Sequence, residues 1–131
     1  MAADNPFTGG QKASFPTSDD GLRQATEWCD GLCSSPRVAV VVDEIFSNIV
    51  RCSGSKAFSV QLVRENGELK LTVSDDGTPF DPLTAPDPDI TASAEERQIG
   101  GLGLFMVKKM SKSLAYARRD GQNVLELVIN E

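Results

Sequence analysis

The stretch AFSVQLVRENGELKLTVS, residues 57–74, decides the fold of this 131-residue chain. Two runs within it alternate apolar and polar residues, the pattern of a strand that buries one face. Asn66-Gly67 separates the two runs, and this dipeptide favours a two-residue hairpin turn because both positions accept positive φ angles. The stretch therefore predicts two antiparallel strands, at residues 57–65 and 68–74.

Two further strand signals lie on either side of this hairpin. Residues 114–118 and 124–129 flank Asp120-Gly121 and predict a second hairpin. Residues 12–16 predict a short edge strand, with Ala13 and Phe15 on one face. The small and polar residues 1–11 predict a loose tail, so residues 12–131 are expected to form a single domain.

Helical periodicity appears in three segments. Ser18 and the two aspartates after it offer N-cap oxygens and first-turn acids to a helix that ends before Pro36. Residues 37–52 are ambiguous, because their valine run has strand propensity. We predict a helix ended by Gly54, since the run is too long for a typical strand and its apolar residues recur at helical spacing. That stripe consists of Val38, Val41, Val42, Ile45 and Ile49.

The third helix is predicted to begin directly after the glycines at residues 100–103. Between the first hairpin and this helix, residues 81–100 hold three prolines and several acids, and so long a loop in a small domain is usually functional or disordered. The order is strand, helix, helix, hairpin, loop, helix, hairpin. Because the strands come in pairs, it predicts an α+β two-layer sandwich with helices on one face of a mainly antiparallel sheet.

Composition excludes several classes of function. The 13 Lys+Arg residues against 19 Asp+Glu give a net charge of -6, and the sequence has no basic run. A chain of this charge is unsuited to binding the phosphate backbone of nucleic acid. The chain has no histidine, so Ser-His-Asp catalysis and a histidine autokinase site are excluded. No apolar run is long enough for a membrane span. Cys29, Cys33 and Cys52 lack a disulfide framework and are expected to be reduced, mostly buried thiols of a cytosolic protein.

Three separated segments carry candidate chemistry, and the first lies in the second predicted helix. Glu44 and Asn48 would lie one turn apart on the same helix face. A carboxylate and a carboxamide in this arrangement can hold a magnesium ion and orient a nucleophile. On their own, the two residues are better explained as a polar helix face.

The second segment follows the first hairpin and reads VSDDGTPFDP, residues 73–82. The strand would deliver Asp75, whose carboxylate can accept a hydrogen bond from an exocyclic amine such as that of adenine. Gly77 would permit either a close backbone approach or a positive φ. An ordinary Asp-Gly turn is the alternative explanation.

The third segment is IGGLGLF, residues 99–105. Glycines that open a helix expose free N–H groups, and the helix dipole favours anions such as phosphate. A dinucleotide-binding fingerprint would need a further glycine at Met106 and a preceding strand. The Gly-Lys-Ser/Thr phosphate loop and the eukaryotic-type kinase loops are also absent.

Taken together and in this order, the three segments resemble the N, G1 and G2 boxes of the GHKL ATPase superfamily. The likeness is greatest to the bacterial anti-sigma factor serine/threonine-protein kinases, and it covers residues 12–131. The N box E-x-x-x-N is matched by Glu44 and Asn48, the G1 box D-x-G-x-P-F-D-P by residues 75–82, and the G2 box G-G-L-G-L-F by residues 100–105. The chain departs from the family at Cys52, where a histidine is common.

The resemblance implies a histidine kinase-like ATPase (Bergerat-type) fold that uses ATP and Mg²⁺. Asn48 would coordinate the magnesium ion between the ATP phosphates, and Glu44 would act as general base or orient the attacking serine. Asp75 would bind the adenine amino group, and residues 83–99 would form a mobile lid over the nucleotide. The nucleotide-binding set that the resemblance implies consists of Asn48, Asp75, Gly77, Phe80, Arg97, Gly100, Gly101, Leu102 and Gly103.

The resemblance also implies a function. The chain would be a cytoplasmic protein serine/threonine kinase that phosphorylates a serine of a STAS-domain anti-anti-sigma protein and sequesters a sigma factor, in transcription control of the stress-response type. The alternative is a non-catalytic ATP-binding module that presents an interaction surface or activates a signalling partner. A homodimer is compatible with the resemblance, and the edge strand at residues 12–16 could contribute to it.

Overall fold

The computed structural model describes residues 10–33, 35–79 and 101–130, and for residue 52 and residues 101–105 it describes the backbone only. In these ranges the chain forms five strands and three helices. In chain order they are β1 (Gln11–Pro16), α1 (Asp19–Leu32), α2 (Pro36–Cys52), β2 (Ala57–Glu65), β3 (Glu68–Asp75), α3 (Gly101–Met110), β4 (Ser113–Arg119) and β5 (Gln122–Asn130). This is the predicted order, and β1 begins one residue before the predicted strand.

The five strands form one antiparallel sheet in the order β1-β2-β3-β5-β4. Both predicted hairpin turns are confirmed, since Asn66 and Gly67 have φ values of 54° and 78°, and Asp120 and Gly121 have 53° and 76°. Two consecutive positive φ angles match the right-handed twist of the strands that the turn joins. The strand β1 lies at one edge of the sheet, as the sequence predicts.

One face of the sheet is covered by the helices, which confirms the two-layer α+β architecture. Alternate residues of β2, β3 and β5 are buried, while the residues between them are partly or fully exposed. On the covered face, Phe58 of β2 packs against Phe15 of β1 and Phe46 of α2, with ring centroids 5.8 and 5.3 Å apart. The period of two in the sequence therefore assigned the inward residues correctly.

Serine N-caps begin α1 and α2, and the predicted glycine follows the end of α2. Ser18 caps α1 by accepting a hydrogen bond from the Gly21 N–H at 3.0 Å. Ser35 caps α2, in which Pro36 occupies the first turn, and Gly54 follows its last turn with a φ of 73°. A serine N-cap and a glycine just past the end satisfy backbone groups that the helix leaves unpaired.

The helix α2 supplies the largest part of the core, so the helical interpretation of the valine-rich segment is correct. Its apolar stripe faces the sheet and is at most 3% exposed at five positions, which are Val38, Val41, Val42, Ile45 and Phe46. The neighbouring helices α1 and α3 both contact α2. None of the helices in the described ranges combines the length and the apolar character that crossing a membrane requires.

Candidate functional site

Asp75 is a carboxylate on the apolar face of the sheet. It ends β3, two residues beyond Val73 in the row of side chains that faces the helices, and it is only 7% exposed. A buried charged group destabilises a fold unless hydrogen bonds compensate its lost hydration. The neighbours of Asp75 are therefore informative about what this carboxylate is for.

Two donors hold one oxygen of this carboxylate. Asp75 Oδ1 accepts hydrogen bonds from the Gly77 backbone N–H at 2.8 Å and from Asn123 Nδ2 at 3.2 Å. Among the described residues, no group donates to Oδ2 of Asp75. The second oxygen is thus available as an acceptor for an external N–H donor, which fits the predicted contact with an exocyclic amine.

Asn123 stands opposite Asp75 in the register of β3 and β5 and is also 7% exposed. Its Nδ2 also donates to the Thr78 carbonyl oxygen at 2.9 Å, and its Oδ1 accepts from the Tyr116 hydroxyl. Asn123 and Tyr116 are not among the site residues predicted from the sequence. A signal was present for Asn123, because it precedes Leu125, Leu127 and Ile129 on the inward face, where a polar side chain needs buried partners.

Gly77 fixes the turn after β3 against the end of α2. A Cβ atom on Gly77 would lie 2.1 Å from the Ser53 carbonyl oxygen, and the Thr78 N–H donates to that same oxygen at 2.8 Å. The Arg118 guanidinium donates to the Gly77 carbonyl oxygen at 2.7 Å. Of the two predicted reasons for this glycine, the close backbone approach is correct, and a positive φ is not what requires it.

This docking brings two of the predicted segments together. Ser53 is the C-cap of α2, and Asn48 lies five residues before it on the same helix. At a rise of about 1.5 Å per residue, Asn48 is about 7.5 Å along the helix axis from the cap on which the Asp75–Thr78 turn rests. The Asp75 turn and the polar edge of α2 therefore belong to one region of the molecule.

Glu44 lies one turn before Asn48 on α2, and both side chains are half-buried. The Oε2 atom of Glu44 is inaccessible to solvent and accepts no hydrogen bond within the described part of the chain. Arg51 forms an ion pair with this oxygen, and its Nη2 lies 3.6 Å away, beyond hydrogen-bond distance. A buried carboxylate oxygen without a donor can receive a proton or a hydrogen bond from a hydroxyl group that enters the site.

The glycines of the third segment open α3. Gly101, Leu102 and Gly103 form the first turn of this helix, so these glycines lie within α3 and not before it as predicted, and α3 contacts α2. The first N–H groups of a helix have no partner within it, so this turn is suited to an anion. Three predicted site residues, Phe80, Arg97 and Gly100, lie outside the described residues, and so does the predicted lid at residues 83–99.

Two of the three thiols are described. Cys29 and Cys33 are buried and free, which confirms the prediction for both, while the side chain of Cys52 lies outside the described residues. Burial, with a smaller contribution from Cys33, raises the pKa of Cys29 to about 12. Within residues 10–33, 35–79 and 101–130, no three Cys, Asp or Glu side chains are arranged to hold a metal ion.

Comparison with known proteins shows the family to which the sequence is related. Residues 18–129 match the model of the histidine kinase-like ATPase domain. The serine/threonine-protein kinase BtrW of Bordetella bronchiseptica is 32% identical over 94 residues, which cover 69% of this chain and 66% of that protein. The match thus spans slightly less than two thirds of the relative's length. The range matched by the family model includes the Asp75 turn and the polar edge of α2.

Proposed function

Because this chain belongs to the histidine kinase-like ATPase family, whose domain binds ATP, we propose that it is a protein serine/threonine kinase that acts as an anti-sigma switch. It would transfer the γ-phosphoryl group of ATP to a serine of a STAS-domain anti-anti-sigma protein and would sequester a sigma factor. The name of the relative BtrW, a serine/threonine-protein kinase, supports the transfer reaction. The STAS partner and the sigma factor are implied by the family resemblance.

One observation carries the kinase proposal. Glu44 presents a solvent-inaccessible carboxylate oxygen that accepts no hydrogen bond from the described residues and lies 3.6 Å from Arg51 Nη2, one helical turn from Asn48. A purely structural carboxylate in this position would be expected to have its donors within the fold. A serine hydroxyl is a donor of the right kind, and its proton must leave when its oxygen attacks phosphorus.

Each residue of the site would then have a separate role in nucleotide binding or phosphoryl transfer. Asp75 would hold the adenine through its amino group, and the first turn of α3 would face the phosphates with free N–H groups. Asn48 would supply an oxygen ligand for Mg²⁺, which neutralises phosphate charge when bound. Glu44 would accept the proton of the serine hydroxyl or orient that hydroxyl. Phosphoryl transfer depends mainly on positioning and charge neutralisation, so this small set is sufficient.

The experiment follows the γ-phosphate in the presence of STAS-domain proteins from the same genome. ATP labelled at the γ-position should label a serine of one of them, and changing that serine to alanine should remove the label. Glu44→Gln should lower the transfer rate about 100-fold or more, because general-base catalysis contributes about 10²–10⁴. Asp43→Asn is the matched control: it removes the same charge from the adjacent, exposed residue and should leave the rate within about twofold.

The transfer measurements distinguish the kinase from the non-catalytic ATP-binding module. Equal transfer rates in Glu44→Gln and wild type would show that Glu44 is not the base. If wild type binds ATP but transfers no phosphate to any partner, the non-catalytic ATP-binding module replaces the kinase. Co-elution of the chain with a sigma factor in gel filtration tests the sequestering role separately. The same columns would show whether the chain dimerises, for which the uncovered edge of β1 is the proposed surface.

A further inference from the structure

We infer that Asn123, supported by Tyr116, determines the preference of the site for adenine by fixing the orientation of the Asp75 carboxylate. Asn123 and Tyr116 do not touch the nucleotide in this proposal: Asn123 acts on Asp75, and Tyr116 acts on Asn123. The inference rests on the ATP binding that the proposed kinase also requires. It assigns a positioning role to two residues that carry none in the three-box pattern.

The contacts of Asn123 fix which end of its amide faces Asp75. Its Nδ2 lies between two acceptors, Asp75 Oδ1 at 3.2 Å and the Thr78 carbonyl oxygen at 2.9 Å, and its Oδ1 accepts from the Tyr116 hydroxyl. Turning the amide over would place its oxygen against two other acceptors. An amide nitrogen can donate two hydrogen bonds, and both are used here.

This arrangement makes the free side of Asp75 a pure acceptor. Oδ1 takes the Asn123 donor and the Gly77 N–H, so the plane of the carboxylate is held from two directions. The remaining oxygen can accept from the 6-amino group of adenine. A 6-oxo purine would present a carbonyl oxygen to it, and two acceptors that face each other repel. The discrimination between the two bases therefore depends on the carboxylate staying where Asn123 holds it.

Burial increases the importance of these contacts. Asp75 and Asn123 are each 7% exposed, so water has little access with which to replace a lost hydrogen bond. Without the Asn123 amide, the Gly77 N–H is the one donor to Asp75 Oδ1 that remains among the described residues, and the carboxylate can rotate. This rotation weakens the repulsion of a 6-oxo base along with the attraction of a 6-amino base.

The test compares the dissociation constants of ATP and inosine triphosphate, which carries a 6-oxo group, by titration calorimetry. Wild type should bind ATP about tenfold more tightly or better, as expected for one hydrogen bond to a charged group. Asn123→Leu, which keeps the branching of the side chain but removes the amide, should abolish most of this preference. Tyr116→Phe, which removes only the hydroxyl, should reduce it by about threefold.

The ratio of the two constants separates positioning from a general structural role. A variant that is merely less well folded would lose affinity for both nucleotides and keep the ratio. Arg119→Gln is the matched control, because it removes an exposed charge from the same hairpin, where Arg119 pairs with Glu126 at 3.4 Å, and the ratio should not change. If Asn123→Leu proves unfolded by circular dichroism, Tyr116→Phe alone decides.

A wild-type preference that survives unchanged in the folded variants would overturn the inference, and so would a wild type without a preference. The measurement needs binding only. A chain that binds ATP in this manner but transfers no phosphate would refute the kinase and leave the inference standing. If the chain transfers phosphate but its preference for ATP is unaffected by Asn123→Leu, the kinase proposal stands and the inference about Asn123 is refuted.

Discussion

At the scale of the residue, Gly77 leaves no room for a side chain. Gly77→Ala would place a Cβ 2.1 Å from the Ser53 carbonyl oxygen, which is backbone and cannot move aside cheaply. The free energy of unfolding should fall by about 1–3 kcal/mol, the usual cost of overpacking. Urea denaturation measures this change, and the nucleotide affinity should fall with it because Asp75 ends the strand that leads into the turn.

Gly31 in α1 is the matched control for this substitution. A Cβ there would meet no atom within 4 Å, and the residue lies inside a helix. Gly31→Ala should therefore raise the free energy of unfolding by about 0.5 kcal/mol, since alanine is the better helix former. If Gly77→Ala proved as harmless as Gly31→Ala, the close approach of the turn to α2 would be wrong.

Cys29 makes a prediction about alkaline pH. Its pKa in the folded chain is about 12, against 9.0 for an ordinary thiol, because burial disfavours the thiolate. Below pH 9 both states keep the proton and the shift has no effect on the pH dependence. Above it, the unfolded chain releases the proton while the folded chain retains it, so this thiol lowers stability as pH rises towards 12. In Cys29→Ala, the free energy of unfolding should fall less steeply between pH 9 and 11.

The slope, not the absolute stability, is the quantity to compare in this experiment. Truncating a buried side chain leaves a cavity and lowers stability at every pH. Urea midpoints measured at several pH values in wild type and Cys29→Ala separate the two effects. If the free energy of unfolding falls equally steeply with pH in the two proteins, the raised pKa of Cys29 is contradicted.

At the scale of the element, local patterns were sufficient to predict most of the fold. The alternation in β2 and β3, the Asn66-Gly67 turn and the stripe of α2 each depend on a few consecutive residues, and local patterns of this kind are what sequence reasoning detects. The valine run in α2 was predicted correctly because its spacing outweighed its strand propensity. Tertiary packing of an amphipathic face usually decides such a conflict.

Contacts between elements could not be predicted in this way. Ser53 and Gly77 are far apart in sequence, and no local pattern says that the end of α2 receives the turn after β3. Asp75 and Gly77 were recognised from their motif, but the Asn123 contact depends on the register of β3 with β5. Register follows from which faces are buried. Asn123 could therefore have been identified from the sequence, because it is the one polar residue on the inward face of β5.

At the scale of the whole molecule, the acceptor at Asp75 should couple ATP binding to stability. A ligand that binds only the folded chain raises its stability by RT ln(1 + [L]/Kd), about 2.7 kcal/mol at a hundredfold excess over Kd. Mg-ATP should therefore raise the midpoint of thermal unfolding of wild type. Asp75→Asn should abolish most of this rise, because an amide in that position no longer offers a charged acceptor to the adenine amino group.

Asp76→Asn is the matched control, since it removes the same charge from the neighbouring residue, whose side chain is exposed. The midpoint should rise with Mg-ATP in this variant as it does in wild type. Because Asp75 also accepts from Gly77 and Asn123, Asp75→Asn should lower the midpoint without nucleotide too, and the shift on adding ATP is the quantity that reports the site. An equal shift in wild type and in Asp75→Asn would show that another residue contacts the adenine. The hydrogen bonds that orient the buried carboxylate would then contribute only to the stability of the fold.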